Sequence, residues 1–484
     1  MGSLDRDLAS IQEVRDRVRA AKAAQQRLAT FSQQDLDRIG AAMAAAGYAH
    51  AADLARQAVD ETGMGRYEDK ILKNQFATDV FWQSIKDVKT IGIIAEYPDR
   101  GITEIGVPMG VIAGIVPTTN PTSTAMFKAI VAVKSGNGLV LSPHPAAAKC
   151  TVAATKVVVE AGEAAGLPAG AVSCVENPTM SGTHELMTHD LVAIILATGG
   201  GPMVKAAYSS GKPALGVGPG NAPAFIERSA DIPAAVRRIL DSKTFDNGVI
   251  CCSEQTVVTE DVIRDEVVAE FTRQGGYFLN PAEKAAMAAV MVRPTGGVNP
   301  AIVGQTPSRL AELAGIQIPA GTRVLIGFET EVGHEYPFSR EKMSPILGFY
   351  SRPDWHAACE LSIDLLMHEG AGHTMAIHSR DEAVIKEFAL KKPVSRLLVN
   401  TPSALGGVGA TTALPPSFTL GCGAIGGNAS SDNVGPLHLI NVRRVARGQT
   451  ELDDLRPKAP VAGPEIDTER LVRLVMAKLM GTSV

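Results

Sequence analysis

The sequence predicts an α/β protein built from two doubly wound units. Continuous apolar runs such as residues 111–116 (Val-Ile-Ala-Gly-Ile-Val) alternate with longer helical stretches. That is the pattern of parallel strands buried on both faces and joined by helical crossovers. The loops after these runs are rich in Gly, Pro, Ser and Thr, as expected where an open sheet binds ligands beyond its strand C-termini. A length of 484 residues allows two or three cores.

In chain order, residues 4–60 read as helices. Leu8, Ile11, Val14 and Val18 recur at helical spacing among charges, which read as a solvated face, and Ser32 with Asp35 suits a capping box. A further helix is expected over 66–88. Residues 90–97 and 102–107 flank a Pro-Asp-Arg-Gly turn and read as a hairpin. Strands at 111–116, 139–141, 172–175 and 191–196, with helices between, make the first doubly wound unit, 109–226. Its loops at 117–123, 142–145 and 198–201 are ligand candidates, and the Gly-Gly-Gly of the last offers N–H groups to a phosphate. Tight turns explain such glycines equally well, and residues 216–221 only approach GxGxxG. Residues 227–415 read as the second unit, with strands at 323–326 and 396–399. A return segment at 416–448 includes a strand at 437–442.

Several classes are excluded. A net charge of −5 and sparse aromatics (7 Tyr, 2 Trp, 13 Phe) give no nucleic-acid footprint. No run of apolar residues is long enough for a membrane span, and the charged N-terminus lacks the core of a secretory signal. Six cysteines without a CxxC pair point to a reducing cytoplasm and no zinc cage. His184 and His189 lie at i, i+5, on different helix faces, so no metal is expected there.

Chemistry concentrates at residues 241–255, DSKTFDNGVICCSEQ. A thiolate is a strong nucleophile and Gly248 allows close backbone approach, yet two buried thiols fit Cys251 and Cys252 as well. Asn120, at the end of the first parallel strand, can offer an amide N–H to an oxyanion or cap the next helix. His373, read as a loop residue, is a catalytic candidate or a backbone hydrogen-bonding partner. Glu341 suits a surface or a ribose.

Taken together, IVPTTNPTS (115–123), SPHP (142–145), ATGGG (197–201), SGKPALGVGPGN (210–221), SKTFDNGVICCSEQ (242–255), EKMSP (341–345), GHT (372–374) and TLGCGAIGGNASSDNVGPLHLIN (419–441) make the chain resemble the CoA-acylating branch of the aldehyde dehydrogenase superfamily. The resemblance, covering about 90–446, implies an aldehyde dehydrogenase-like fold: two doubly wound α/β domains, N-terminal helices (1–89) on the cofactor domain, and a β-hairpin oligomerisation arm (90–108). It implies Cys251 as nucleophile, Asn120 with the Cys251 N–H as oxyanion donors, and His373 among the catalytic residues. It further implies that Thr118, Thr119, Asn120, Pro143, Gly200, Gly218, Glu341 and Leu420 hold the dinucleotide. NAD and coenzyme A are the implied cofactor and co-substrate, although residues 143–145 carry no Asp, Glu or Arg to decide between NAD and NADP.

Hydrolytic members place a glutamate where this chain is read to have Gly216. Water needs such a base, whereas a thiol does not, so the expected reaction is reversible oxidation of a short-chain aldehyde to acyl-CoA, propionaldehyde first and acetaldehyde next. A hydrolytic enzyme or a silent scaffold of the same fold are the alternatives. The expected assembly is a homodimer or tetramer.

Residues 449–466 read as a Pro-containing linker and 467–484 as an amphipathic helix, with Leu471, Val472, Val475, Met476, Leu479 and Met480 on one face. A short isolated helix is marginal in water, so it docks on its own domain or, as the linker favours, on a partner. It resembles the encapsulation peptides of bacterial microcompartments, whose shell or core proteins are then the implied partner.

Overall fold

Three sheets organise the chain. In the computed structural model, which describes residues 5–293, 296–456 and 467–481, the strands are β1 (Gly92–Tyr97), β2 (Ile102–Pro108), β3 (Val111–Val116), β4 (Gly138–Pro143), β5 (Val172–Cys174), β6 (Val192–Thr198), β7 (Ala214–Val217), β8 (Ala222–Ile226), β9 (Glu254–Glu260), β10 (Gly276–Phe278), β11 (Val324–Phe328), β12 (Ile346–Arg352), β13 (Gly372–His378), β14 (Val394–Val399) and β15 (Ile440–Ala446). A five-stranded parallel sheet runs β5-β4-β3-β6-β7, a seven-stranded parallel sheet β10-β11-β12-β9-β8-β13-β14, and an antiparallel sheet β1-β2-β15.

Every residue of β3 and β4 is buried, because helices cover both faces. Val14, Val18 and Ala21 of the helix Arg6–Leu28 pack on one side of the first sheet. Phe127 and Ile130 of Pro121–Lys134 pack on the other. In both parallel sheets the order reverses beside the first strand, between β3 and β6 in one and between β9, β8 and β13 in the other. Ligand crevices form at such reversals.

The structure moves several expected boundaries. Residues 222–226, read as the end of the first unit, form β8 inside the seven-stranded sheet, so the chain changes sheets over 218–221. The helix expected over 66–88 is broken into Tyr67–Gln75, a π-helical turn Phe76–Val80 and Phe81–Ile85. The strand expected at 437–442 starts at Ile440, after a 3-10 turn Pro436–Leu439. Leu8 is 56% exposed rather than part of the buried stripe.

β15 pairs with β2 along its length, from Ile440 opposite Pro108 to Ala446 opposite Ile102. Of the linker expected at 449–466, Leu452–Leu455 forms a helical turn and residues 457–466 lie outside the described residues. The last helix is Thr468–Leu479, capped by Asp467, whose side chain accepts from the Arg470 N–H. None of its side chains is buried.

Candidate active site

The C-terminal ends of β3, β6 and β7 face the segments that lead into β8, β9 and β13. Between them lies a cavity of about 1270 Å³. From the first sheet its wall takes Thr118, Thr119, Asn120, Gly199, Gly200, Gly201, Val217 and Gly218; from the other side come Ile250, Cys251, Glu341, Glu369, Leu405, Val408 and Leu420.

Cys251 reaches this wall through a strained turn. Asp246, Asn247 and Gly248 all have left-handed backbones, φ 50°, 52° and 79°, a region that short polar side chains and glycine tolerate best. The turn is held from outside. Asp246, fully buried, accepts from the Arg66 N–H at 2.6 Å and from Lys70 Nζ at 3.0 Å, and from Lys73 Nζ as well. Asn247 donates to Gly65 O and Gly304 O. A Cβ on Gly220 would overlap the Cys251 carbonyl oxygen at 1.7 Å, so the crossing segment must be bare there for the turn to close.

The Cys251 N–H has no acceptor among the described residues. Its thiol is pushed well above its ordinary pKa, first by the Cys252 thiol and then by burial, while His373 beside it opposes the rise. Cys252 is fully buried, packed among Val217, Ile250, Ala404 and Val408.

Asn120 does not cap the helix that follows it. Its Oδ1 accepts from Lys73 Nζ at 2.6 Å, and its Nδ2 donates to Val249 O at 3.1 Å, which draws the amide toward the cysteine turn. His373 lies on β13, not in a loop, and is fully buried behind the wall rather than part of it. Its Nδ1 meets Thr374 Oγ1 at 2.9 Å, while Nε2 has no partner among the described residues.

Glu341 Oε1 accepts from the Gly220 N–H at 3.0 Å, and the Glu341 N–H donates to Glu369 Oε2 at 2.9 Å. Burial, then the Glu369 charge, push the Glu341 carboxyl up to about 8. Pro143 is buried in β4 and off the wall; its neighbour His144 lines the cavity instead.

The position read as Gly216 needs correction. A Cβ there would meet Val204 and Tyr208, 2.8 and 2.9 Å away, under the helix Gly201–Tyr208. Strand alternation turns the next residue, Val217, into the cavity. Facing the thiol region, the strand therefore presents an apolar side chain rather than an empty place.

The glycines suit a dinucleotide. Cβ atoms on Gly201 and Gly218 would meet nothing within 4 Å, and one on Gly200 only Pro202 Cδ at 3.9 Å, so ligand can lie directly on this backbone. Gly200 also precedes a helix N-terminus, where free N–H groups attract phosphate. Four residues escaped the sequence reading: Lys70, Lys73, Arg66 and Glu369. The lysines resemble any solvated helix face, and only the Asp-Asn-Gly turn hinted that a partner must hold it.

Comparison with known proteins fits this geometry. The aldehyde dehydrogenase family model matches residues 5–285, and the chain belongs to that family, oxidoreductases acting on aldehydes. The bifunctional aldehyde-alcohol dehydrogenase of Escherichia coli (strain K12) is 43% identical over 474 residues, 95% of this chain and 53% of that protein. The chain thus spans about half the length of such relatives. The succinate-semialdehyde dehydrogenase (acetylating) of Clostridium kluyveri is 36% identical over 432 residues, 89% of this chain and 95% of that one.

Among solved structures, a probable aldehyde dehydrogenase from Listeria monocytogenes EGD-e superimposes with TM-score 0.92 and 56% identity, over 93% of this chain and 100% of that one. An acetylating aldehyde dehydrogenase from Geobacillus thermoglucosidasius gives 0.92 and 51%, over 94% and 100%. The propionaldehyde dehydrogenase of a Clostridium phytofermentans fucose-utilisation microcompartment gives 0.81 and 30%, over 90% and 97%. That of Rhodopseudomonas palustris, with bound CoA and an acylated cysteine, gives 0.81 and 28%, over 90% and 97%.

Proposed function

We propose that this chain oxidises a short-chain aldehyde to its acyl-CoA with NAD, reversibly, through a thioester on Cys251. The observation that carries the reading is the pairing of a cavity-lining thiol with Val217, an apolar residue on the opposite wall. The acylated cysteine and CoA of the Rhodopseudomonas enzyme and the acetylating names of two relatives support it.

Cys251 Sγ gives up its proton toward His373 and attacks the aldehyde carbon. The Cys251 N–H and Asn120 Nδ2 stabilise the oxyanion that forms. Thr118, Thr119, Gly200, Gly218 and Leu420 would hold a nicotinamide dinucleotide, with Glu341 toward a ribose, and that group would supply the hydride acceptor. Hydride loss converts the adduct into the Cys251 thioester. The CoA thiol then attacks the acyl carbon and the C–S bond to Cys251 breaks. With no carboxylate at 217 to activate water, the thioester waits for a thiol.

Apolar side chains near the thiol favour an uncharged acyl chain. Phe76, Phe245, Ile250, Val408 and Phe418 share this part of the wall, which supports propionaldehyde, then acetaldehyde, over an anionic semialdehyde. Without CoA, NADH should form in one burst of about one equivalent per Cys251 and stop; steady turnover without CoA would point to hydrolysis instead. A higher kcat/KM for succinate semialdehyde than for propionaldehyde would overturn the substrate assignment.

The three-stranded arm supports a homo-oligomer, dimer or tetramer. The exposed face of Thr468–Leu479 supports docking on microcompartment shell or core proteins in the cytoplasm, in keeping with the microcompartment origin of the Clostridium structure. Deleting residues 467–484 should abolish co-sedimentation with shell proteins; retention would assign the helix to another partner.

A further inference from the structure

Lys73 sits on the helix Tyr67–Gln75, remote in sequence from Cys251, yet its ammonium ends at the centre of the site. It is 4% exposed and donates to Asn120 Oδ1 at 2.6 Å, to Asp246 Oδ2, and to Val249 O at 3.3 Å. Three donors meet three acceptors.

An amide can sit in two orientations that are nearly identical in shape. An ammonium offers only protons, so Asn120 must turn Oδ1 to Lys73 and Nδ2 away from it. One Nδ2 proton goes to Val249 O, two residues before the nucleophile, an acceptor it shares with Lys73 Nζ. The other has only Thr119 Oγ1 at 3.3 Å, a long bond that a developing oxyanion outcompetes. The same ammonium grips Asp246, the first residue of the left-handed turn. Lys70 cannot replace it, because its Nζ goes to Thr119 O and Asp246 Oδ2 and not to Asn120.

We propose that Lys73 is a positioning residue for the oxyanion site, orienting the Asn120 amide and fixing it in register with the Cys251 turn through Asp246. The proposal rests on Asn120 being an oxyanion donor. It adds that this donor is directed from a helix outside both parallel sheets.

The test is a double-mutant cycle on the full chain with propionaldehyde, NAD and CoA. Asn120→Ala should lower kcat by about 10²–10³-fold and Lys73→Met by roughly 10–100-fold, each with KM for the aldehyde within about threefold. The double variant should be no worse than Asn120→Ala within about threefold, since residues acting through one another do not add. Alkylation of Cys251 by iodoacetamide should proceed at nearly the native rate in Lys73→Met, where Lys70 still holds Asp246.

A near-native kcat for Asn120→Ala would remove the oxyanion assignment itself. An impaired Asn120→Ala beside an unimpaired Lys73→Met, losses that multiply in the double variant, or alkylation slowed in parallel with kcat would overturn the role of Lys73 alone. Should Lys73→Met fail to fold, Lys73→Gln, whose neutral amide can accept as well as donate and so no longer dictates the Asn120 orientation, enters the same cycle under the same criterion.

Discussion

The turn that carries Cys251 and the helix near the C-terminus hold similar apolar residues in opposite circumstances. Val249, Ile250 and Cys252 are 5% exposed or less, while Leu471, Val472, Val475 and Met476 are 52–60% exposed and Leu479 is 79% exposed. The turn has φ > 0 at three consecutive residues and is held by Arg66, Lys70 and Lys73 from elsewhere in the chain. The helix keeps ordinary geometry and, among the described residues, local contacts such as Arg473 with Glu469. An apolar pattern says that a face is to be covered. Only the fold says whether the chain covers it itself.

The sharpest way to press this contrast is at the thiol. Cys251→Ala should cut acyl-CoA formation on the order of 10⁴-fold or more, with the melting temperature changed by less than about 3 °C. Steady-state assay and calorimetry on one preparation check both. A variant that keeps its rate ends the assignment of Cys251.

Next comes the support under the turn. Asp246→Asn leaves two buried ammonium groups without their carboxylate and should cost about 3–5 kcal/mol in urea unfolding. A loss below about 1 kcal/mol would mean that the strained turn holds its shape without them.

A smaller effect is expected from Glu341→Gln. The folded carboxyl titrates at about 8, above its ordinary 4.5, so its contribution is full below pH 4.5 and is lost as pH rises through 8. Native protein should therefore lose stability relative to the variant between pH 6 and pH 9, by about 1 kcal/mol after allowance for solvent on the cavity wall. Urea midpoints at the two pH values measure it, and parallel curves would place the proton elsewhere.

The smallest effect belongs to the helix. Removing residues 467–484 should leave the melting temperature within about 1 °C and kcat within about twofold, because no side chain of Thr468–Leu479 is buried. A larger change would mean that the helix packs on the catalytic fold.

The sequence made the sheets readable because strands buried on both faces, such as Val111–Val116, leave an unbroken apolar signal. The cysteine turn and the loops after β3 and β6 were readable through their local chemistry. Lys70 and Lys73 were not. Their helix, YEDKILKNQ, mixes them with acidic and amide residues as a solvated face would, and the acceptors that allow them to be buried, Thr119 O, Asn120 Oδ1 and Asp246, lie 47–176 positions away. Gly216 misled for a related reason: a one-residue step along a strand reverses which side chain faces the cavity, and sequence similarity alone does not fix that step. The sheet change at 218–221 was equally hidden, since β7 and β8 look like consecutive strands of one unit.

That sheet change has a mechanical consequence. Four residues, Gly218 to Asn221, tether Val217 at the end of one parallel sheet to Ala222 at the start of the other, and the steps from Val217 to Ala222 reach at most about 18 Å. The tether is anchored besides: Asn221 Nδ2 donates to Ser339 O and Leu365 O, and Gly220 lies against the Cys251 carbonyl. The two halves meet on a short leash beneath the thiol. The leash caps how far the two sheets can part at the floor of the chamber, so wider opening there is left to side chains and rim loops.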